Sequence, residues 1–354
     1  LTAREQAPAF STIHTLMPRD GSAPALDDGP YADDAPTIDR WEDQVEVMGS
    51  LQRPKKVMVR GSDGVTYPFL CKPKDDLRKD SRMMDFMTCV NRLLRKSPSC
   101  RARRLATRCY AVTPLDQECG LIEWVPHMLQ LRSIIKAQWD SRKLPFAHKD
   151  IKERHTACQQ QRGERKLRAL SKLCLELMGE LPPVLHHWLA YSFREPAAWF
   201  DARLSFARSC ALMSIIGYAV GLGDRHLENI LVHACDGSLM HVDFACLFDH
   251  GRNLATPERV PFRLTQNLVH AMGICGVEGA FRATAELALS TMRTHREAIL
   301  HVLSTMRHDP LVEWKVRNQR EDTTGQVDSE EADKELAKID LKLQGVLEGG
   351  TASV

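Results

Sequence analysis

The sequence predicts an α+β protein built as a small β-rich lobe followed by a larger helical lobe. Three patterns lead there. Short apolar runs bounded by turn residues crowd residues 41–125, interrupted by one helical stripe. Helical periodicity dominates from 167 to 306. A short return to strands and turns falls between Gly221 and Phe248.

Residues 1–40 (…DGSAPALDDGPYADDAPTID) are rich in Pro, Gly, Ala and Asp and read as a flexible lead-in. Patterning begins near Trp41. Lys55–Arg60 and Val65–Cys71 read as strands around the turn signal GSDG, and Pro68 favours an edge position for the second. Asp80–Leu94 carries a helical stripe of Met83, Met87, Val90 and Leu94, and Arg108–Thr113 and Cys119–Val125 follow as strands. Residues 140–166 are polar and read either as a surface insertion or as a solvated helix face. Helical stripes come next: Leu167, Leu170, Leu173 and Leu177; then Leu204, Ala207, Ala211, Ile215 and Tyr218; and, after the strand-like interlude, Phe281, Ala285, Leu289 and Met292. Residues 315–354 are polar, with an acidic stretch near 328–335, and are expected to pack poorly.

The chain has 354 residues, enough for about two domains at roughly 100–200 residues each. It is 43% hydrophobic and 27% charged, the balance of a folded globular chain rather than a disordered or fibrous one. The longest nearly apolar stretch, Cys210–Gly223, is too short to span a bilayer, so no membrane partner is expected. A net charge of +2 supplies no global field for nucleic acid. Eleven cysteines, with no C-x-x-C pair, suggest reduced thiols in the cytosol or nucleus rather than a disulfide framework or zinc site. The first residue, Leu1, leads us to expect a piece of a longer protein. The basic run Arg92–Arg108 lacks interleaved aromatics for base stacking and reads as a solvated helix end; the pair His186–His187 reads as helix surface.

Chemistry concentrates in GLGDRHLENILVHACDGSLMHVDF, residues 221–244. Ile230–His233 and Leu239–Val242 are apolar runs joined by ACDGS, a hairpin pattern. Antiparallel pairing brings the outer strand ends together, setting Asn229 beside Asp243. A carboxamide oxygen next to a carboxylate suits a hard divalent cation that shares its shell with phosphates and water. Asp224 lies five residues before Asn229 on the loop leaving a helix. Loop Asp, then Asn, then a hairpin ending in Asp is the layout of a phosphotransferase catalytic loop and metal site.

D-R-H-x-x-N followed by H-V-D-F resembles the phosphatidylinositol 3-kinase superfamily, in contrast to the H-R-D-x-x-x-x-N and D-F-G of ordinary protein kinases. Further similarity lies in SLQRPKK (50–56), CKPKDDLRKD (71–80), GLIEWV (120–125), VPFRLT (260–265) and HDPLVEW (308–314). The combination is most similar to the replication-stress checkpoint branch of the phosphatidylinositol 3-kinase-related protein kinases. The resemblance implies a bilobal protein-kinase-like fold of the phosphatidylinositol 3-/4-kinase type, with the small lobe and hinge at 41–125, the large lobe at 126–314 and a regulatory tail at 315–354. It implies ATP as phosphoryl donor and Mg2+ or Mn2+ held by Asn229 and Asp243. It implies Lys72 on the phosphates, Asp80 orienting Lys72 or pairing with Tyr110, and Ser50 and Leu51 in the phosphate-covering loop. Trp124 would stack on adenine, with main-chain groups of Glu123 and Val125 on its edge. Asp224 would accept the substrate hydroxyl proton and His226 would contact the γ-phosphate. Implied partners are protein substrates with Ser-Gln or Thr-Gln sites and a dedicated interacting subunit, with indirect recruitment to single-stranded DNA in the nucleus. Ala245 stands where D-F-G has glycine, a position at which the family varies.

Two alternatives make different demands on the sequence. A lipid kinase of the same superfamily needs basic residues in the activation segment, and residues 244–262 hold only Arg252 and Arg259. An inactive scaffold would lack Asp224, Asn229 or Asp243, and all three are present.

Overall fold

The computed structural model describes residues 36–49, 53–144, 148–254, 256–308 and 326–346. Ser50 and Leu51, most of the lead-in, residues 309–314 of HDPLVEW and part of the tail lie outside the described residues.

The N-terminal half begins with β1 (Ile38–Val47), β2 (Lys55–Gly61) and β3 (Thr66–Pro73), followed by α1 (Arg78–Lys96) and the short α2 (Pro98–Ala102). Then come β4 (Val112–Pro114) and β5 (Cys119–Glu123). The five strands form an antiparallel sheet in the order β1-β2-β3-β5-β4. Side chains alternate across it. Val57, Val59, Phe69 and Leu121 close a small core on one face, with Trp41, Tyr67 and Cys71 against it. Lys56, Leu70 and Lys72, one residue out of step, therefore take the other face. α1 buries Met83, Met87, Val90 and Leu94 as its stripe predicts, with Phe86 and Leu93 widening it. Asp80 in its first turn and Arg95 and Lys96 in its last complement the helix dipole, and Ser97–Pro98 ends it.

Two sequence expectations change here. β3 is an interior strand, not an edge. Its proline is tolerated because the pairing with β5 starts one residue later, at Phe69↔Glu123. The Pro68 carbonyl accepts from Trp124 N–H at 3.1 Å, so its missing donor faces the point where β5 has already ended. The strand expected at Arg108–Thr113 is reduced to Val112–Pro114. Upstream, the Asn91 side chain on α1 takes both backbone groups of Thr107, accepting its N–H at 2.8 Å and donating to its carbonyl at 2.9 Å. Within the stretch, Ala111 N–H is taken by the Glu123 carboxylate, and ladder pairing with β5 begins at Val112.

The second half starts with β6 (Met128–Gln130), α3 (Leu131–Ser141), α4 (His148–Gln159), α5 (Gly163–Glu180) and α6 (Leu185–Ser192). The long α7 (Pro196–Val220) leads to the hairpin β7 (Ile230–His233) and β8 (Leu239–His241). α8 (Gln266–Ala271), α9 (Ala280–Thr294), α10 (Arg296–Ser304) and α11 (Gln326–Gln344) complete it. α7 is buried on nearly all sides from Phe206 to Val220 and is the axis of the core. Proline opens it, and Gly221, at φ 63°, closes it in the left-handed region that favours glycine. β6 joins the hairpin as a third strand, which its three residues gave no period to reveal.

The helical stripes hold unevenly. α5 buries only Leu173 and leaves Leu167 68% exposed, because its one packing partner of any extent is α4. The polar stretch 140–166 contains α4, so a largely solvated helix occupies it. On α9 the buried line is Phe281, Thr284, Ala288, Thr291 and Met292, with Ala285 and Leu289 at its margin. Small side chains at its centre allow α9 to lie close on α7. The tail, expected to pack poorly, instead contributes α11, whose Ala332, Ile339 and Leu343 are fully buried against the main core. Their spacing is helical, but Lys and Asp between them mask it in composition. Among the described residues no helix is long and apolar enough to cross a membrane.

Candidate active site

The loop 222–229 leaves the C-terminus of α7 and enters β7. Asp224 adopts φ 57°, a left-handed backbone that non-glycine residues rarely take. Its N–H donates to both carboxylate oxygens of Glu258, at 3.0 and 3.2 Å. Arg225, buried at 6% exposure, points inward. Its guanidinium donates to the carbonyls of Gly223 (2.9 Å), Val242 (2.8 Å) and Asp243. One side chain thus ties the loop to the end of the hairpin. Burial lowers the Arg225 pKa from its ordinary value, and the nearby Asp243 and Asp224 charges resist that fall.

The hairpin meets the sequence expectation. Ile230 faces His241, and Val242 N–H donates to the Asn229 carbonyl at 3.1 Å, so Asn229 and Asp243 flank the same end. The Asn229 amide nitrogen donates to the Asp224 carbonyl at 3.1 Å, so the side-chain oxygen is the atom it has left to offer a cation. Asp243 sits at φ 64° and accepts Ala245 N–H at 3.3 Å. His226 is exposed, and its Nδ1 accepts Glu228 N–H at 3.2 Å.

Lys72 reaches this end from β3. Burial alone would lower its pKa, but the charges of Asp75, Asp80 and Asp243 outweigh it and hold the ammonium protonated. Its hydrogen bond goes to Asp75, at 3.0 Å. Asp80, assigned from sequence to orient Lys72 or pair with Tyr110, spends its own bond on Phe244 N–H at 3.3 Å. Burial raises the Asp80 pKa to about 6, against the pull of Lys72. Tyr110 is fully buried, and burial followed by the Asp80 and Asp243 charges keeps its hydroxyl protonated. Lys72, Asp80, Tyr110, Asp243 and Arg225 therefore share one electrostatic neighbourhood. Asp75 was missed, although its i, i+3 spacing from Lys72 was a usable sign.

The strand-to-lobe connection carries Glu123, Trp124 and Val125. Glu123 is clamped to Ala111, its N–H donating to the Ala111 carbonyl and its carboxylate accepting Ala111 N–H, both at 2.8 Å. Trp124 is half-buried, with the Lys56 ammonium 4.6 Å from its ring centroid. Val125 packs on the main core.

A sheet lobe and a helical lobe joined through Glu123–Val125, with Asp, Asn and Asp gathered on one loop and hairpin, define a kinase-type phosphotransferase fold. Residues 66–316 match the family model for phosphatidylinositol 3- and 4-kinase, and the chain belongs to that family. It is 45% identical over 322 residues to "Serine/threonine-protein kinase ATR" of Arabidopsis thaliana, covering 89% of this chain and 12% of that protein. It is 42% identical to "Protein kinase rad3" of Schizosaccharomyces pombe (91% and 13%) and 39% identical to "Serine/threonine-protein kinase MEC1" of Candida albicans (88% and 13%). The chain thus spans about an eighth of the length of these curated relatives. Among solved structures, the "FAT and kinase domain of CtTel1" superposes with a TM-score of 0.79 at 30% identity, over 90% of this chain and 22% of that one.

The family implies ATP and a divalent metal. The donor set fits: a carboxamide oxygen and a carboxylate stand together, while among the described residues no group of three or more His, Cys, Asp or Glu could hold an ion alone. Two protein ligands with phosphates completing the shell match a hard divalent cation.

Proposed function

We propose that the chain is the catalytic unit of an ATR-type checkpoint serine/threonine protein kinase, transferring the ATP γ-phosphoryl group to Ser or Thr. The single observation that carries this reading is the convergence of Asp224, Asn229 and Asp243 at the end of one hairpin, within the field of Lys72. Asn229 and Asp243 would hold the Mg2+ or Mn2+ that neutralises phosphate charge. Lys72, held by Asp75, serves as a point charge for the phosphates. Trp124 offers a stacking face, and Glu123 and Val125 main-chain groups, for the base. Asp224 orients the acceptor hydroxyl and takes its proton at the carboxylate, while its backbone N–H is held by Glu258. His226, exposed on the same loop, would contact the γ-phosphate. Little covalent work falls to the protein, so positioning and charge carry the rate.

We also read 41–125 and 126–314 as the two lobes. As part of the same proposal, carried by the sequence resemblance, the substrates bear Ser-Gln or Thr-Gln, an ATR-interacting subunit is the partner, recruitment to single-stranded DNA is indirect, and the signalling is nuclear. The activation segment, with Arg252 and Arg259 and no lysine, supports a protein over a lipid substrate. The test is transfer of labelled phosphate by the full-length protein with Mg2+ or Mn2+ to matched Ser-Gln and Ser-Ala peptides and to phosphoinositide vesicles. Preference for Ser-Gln is expected; labelling of the lipid alone, or equal kcat/KM on both peptides, contradicts the reading.

A further inference from the structure

The geometry points to Glu258 as a positioning residue that holds the catalytic loop in its working conformation; this rests on the kinase reading of that loop. Glu258 lies 34 residues beyond Asp224 in the chain, yet both its carboxylate oxygens accept the Asp224 N–H. The two glycines beside it have no room for a side chain. A Cβ on Gly223 would sit 2.7 Å from the Glu258 Oε2, and one on Gly251 would collide with the same oxygen. The Glu258 N–H in turn donates to the Gly251 carbonyl at 3.0 Å, and Gly223 N–H to the Cys246 carbonyl at 2.8 Å. The carboxylate is therefore seated in a cradle made by the catalytic loop on one side and the activation segment on the other.

The seat matters because of the backbone it holds. Asp224 at φ 57° is a conformation that L-residues keep only where their surroundings impose it. A charge-assisted acceptor on its N–H is one such constraint, and it comes from the activation segment. Loss of that acceptor frees the peptide before Asp224 to rotate and swings the carboxylate from the hydroxyl it orients. A displacement of Glu258 would act on Asp224 through this bond, so the side chain couples the activation segment to the residue that carries the catalytic carboxylate, beside the backbone bond from Gly223 to Cys246.

The test compares Glu258→Ala, Glu258→Gln, Asp224→Ala and the Glu258→Ala/Asp224→Ala double variant in the full-length protein with Mg-ATP and a Ser-Gln peptide. A misplacement near 1 Å can cost about 10²-fold, so Glu258→Ala should lower kcat by about 10- to 100-fold with KM for ATP within twofold. Glu258→Gln should restore most of the rate, since its amide oxygen accepts the same N–H. The double variant should be no slower than Asp224→Ala, because Glu258 acts through Asp224. Amide exchange at Asp224 should quicken in Glu258→Ala, a readout independent of turnover. Glu258→Asp, which keeps the charge but withdraws the acceptor by one methylene, serves if the alanine variant does not fold, and should also lose kcat. Parent kcat in Glu258→Ala or Glu258→Asp, equal damage from Gln and Ala, or an additive double variant overturns the inference. An active Asp224→Ala would instead overturn the reading of the loop itself.

Discussion

Replacing Arg225 by lysine tests how the loop and hairpin are held together. The guanidinium makes three hydrogen bonds to backbone carbonyls of Gly223, Val242 and Asp243, all inside the protein. A lysine ammonium is a single point on a flexible stem and cannot reproduce a planar fork aimed at three carbonyls. Leaving two of them unmet, at roughly 1–3 kcal/mol for each unsatisfied buried group, gives about 3 kcal/mol once water relaxation is allowed for. Charge is conserved, so the Asp224 and Asp243 partners are not stranded and the loss isolates geometry. The expected change is local to one loop and hairpin, so a segment-resolved readout reports it more directly than a global melting curve. Hydrogen exchange read over residues 222–244 is the suitable assay. About 3 kcal/mol corresponds to exchange roughly 10²-fold faster in that segment, with α9 and α10 unchanged. Exchange within twofold of the parent would refute the claim that this side chain fastens the site.

Asp243→Asn should weaken metal-dependent nucleotide binding and abolish turnover, checked by titrating nucleotide with and without Mg2+; parent turnover would remove Asp243 from the metal site. Lys72→Met should raise KM for ATP and cut kcat by about 10²-fold or more, since it removes the ammonium that Asp75 holds within the field of Asp80 and Asp243. Burial depresses His241 to about 3 from 6.5, so the folded state binds its proton less readily than the unfolded chain. Stability from this group is then present above pH 6.5 and is lost as pH falls toward 3, by up to about 1.4 kcal/mol per pH unit. His241→Gln should flatten the acid dependence of thermal unfolding between pH 7 and pH 5, and an unchanged slope would assign that dependence elsewhere.

The site was largely legible because its residues lie close in sequence. A helix end, a short loop and a hairpin set Asp224, Asn229 and Asp243 in register by local rules alone, and β7 and β8 bear this out. What depended on distant contacts was not legible. Glu258 reaches Asp224 across 34 residues, and nothing in its own neighbourhood marks it. Asn91, on another element, takes the backbone of Thr107 just ahead of the shortened strand. Pro68 suggested an edge because its missing donor is local information, whereas the end of β5 that excuses it is not. α11 was hidden by charged residues between its apolar positions, and α5 kept an apolar stripe that the fold leaves largely exposed.

The role of Asp224 is the most direct point of attack. In the full-length protein, Asp224→Ala is measured for nucleotide affinity by equilibrium titration and for kcat on a Ser-Gln peptide. General-base contributions are about 10²–10⁴-fold, and misplacing the acceptor hydroxyl adds to that. The account predicts a kcat loss of that size or more with nucleotide affinity nearly unchanged, because Lys72, Trp124, Asn229 and Asp243 remain, and Asp224→Asn should be nearly as poor. Lost nucleotide binding with bound turnover intact would make Asp224 a structural or metal residue and contradict the mechanism.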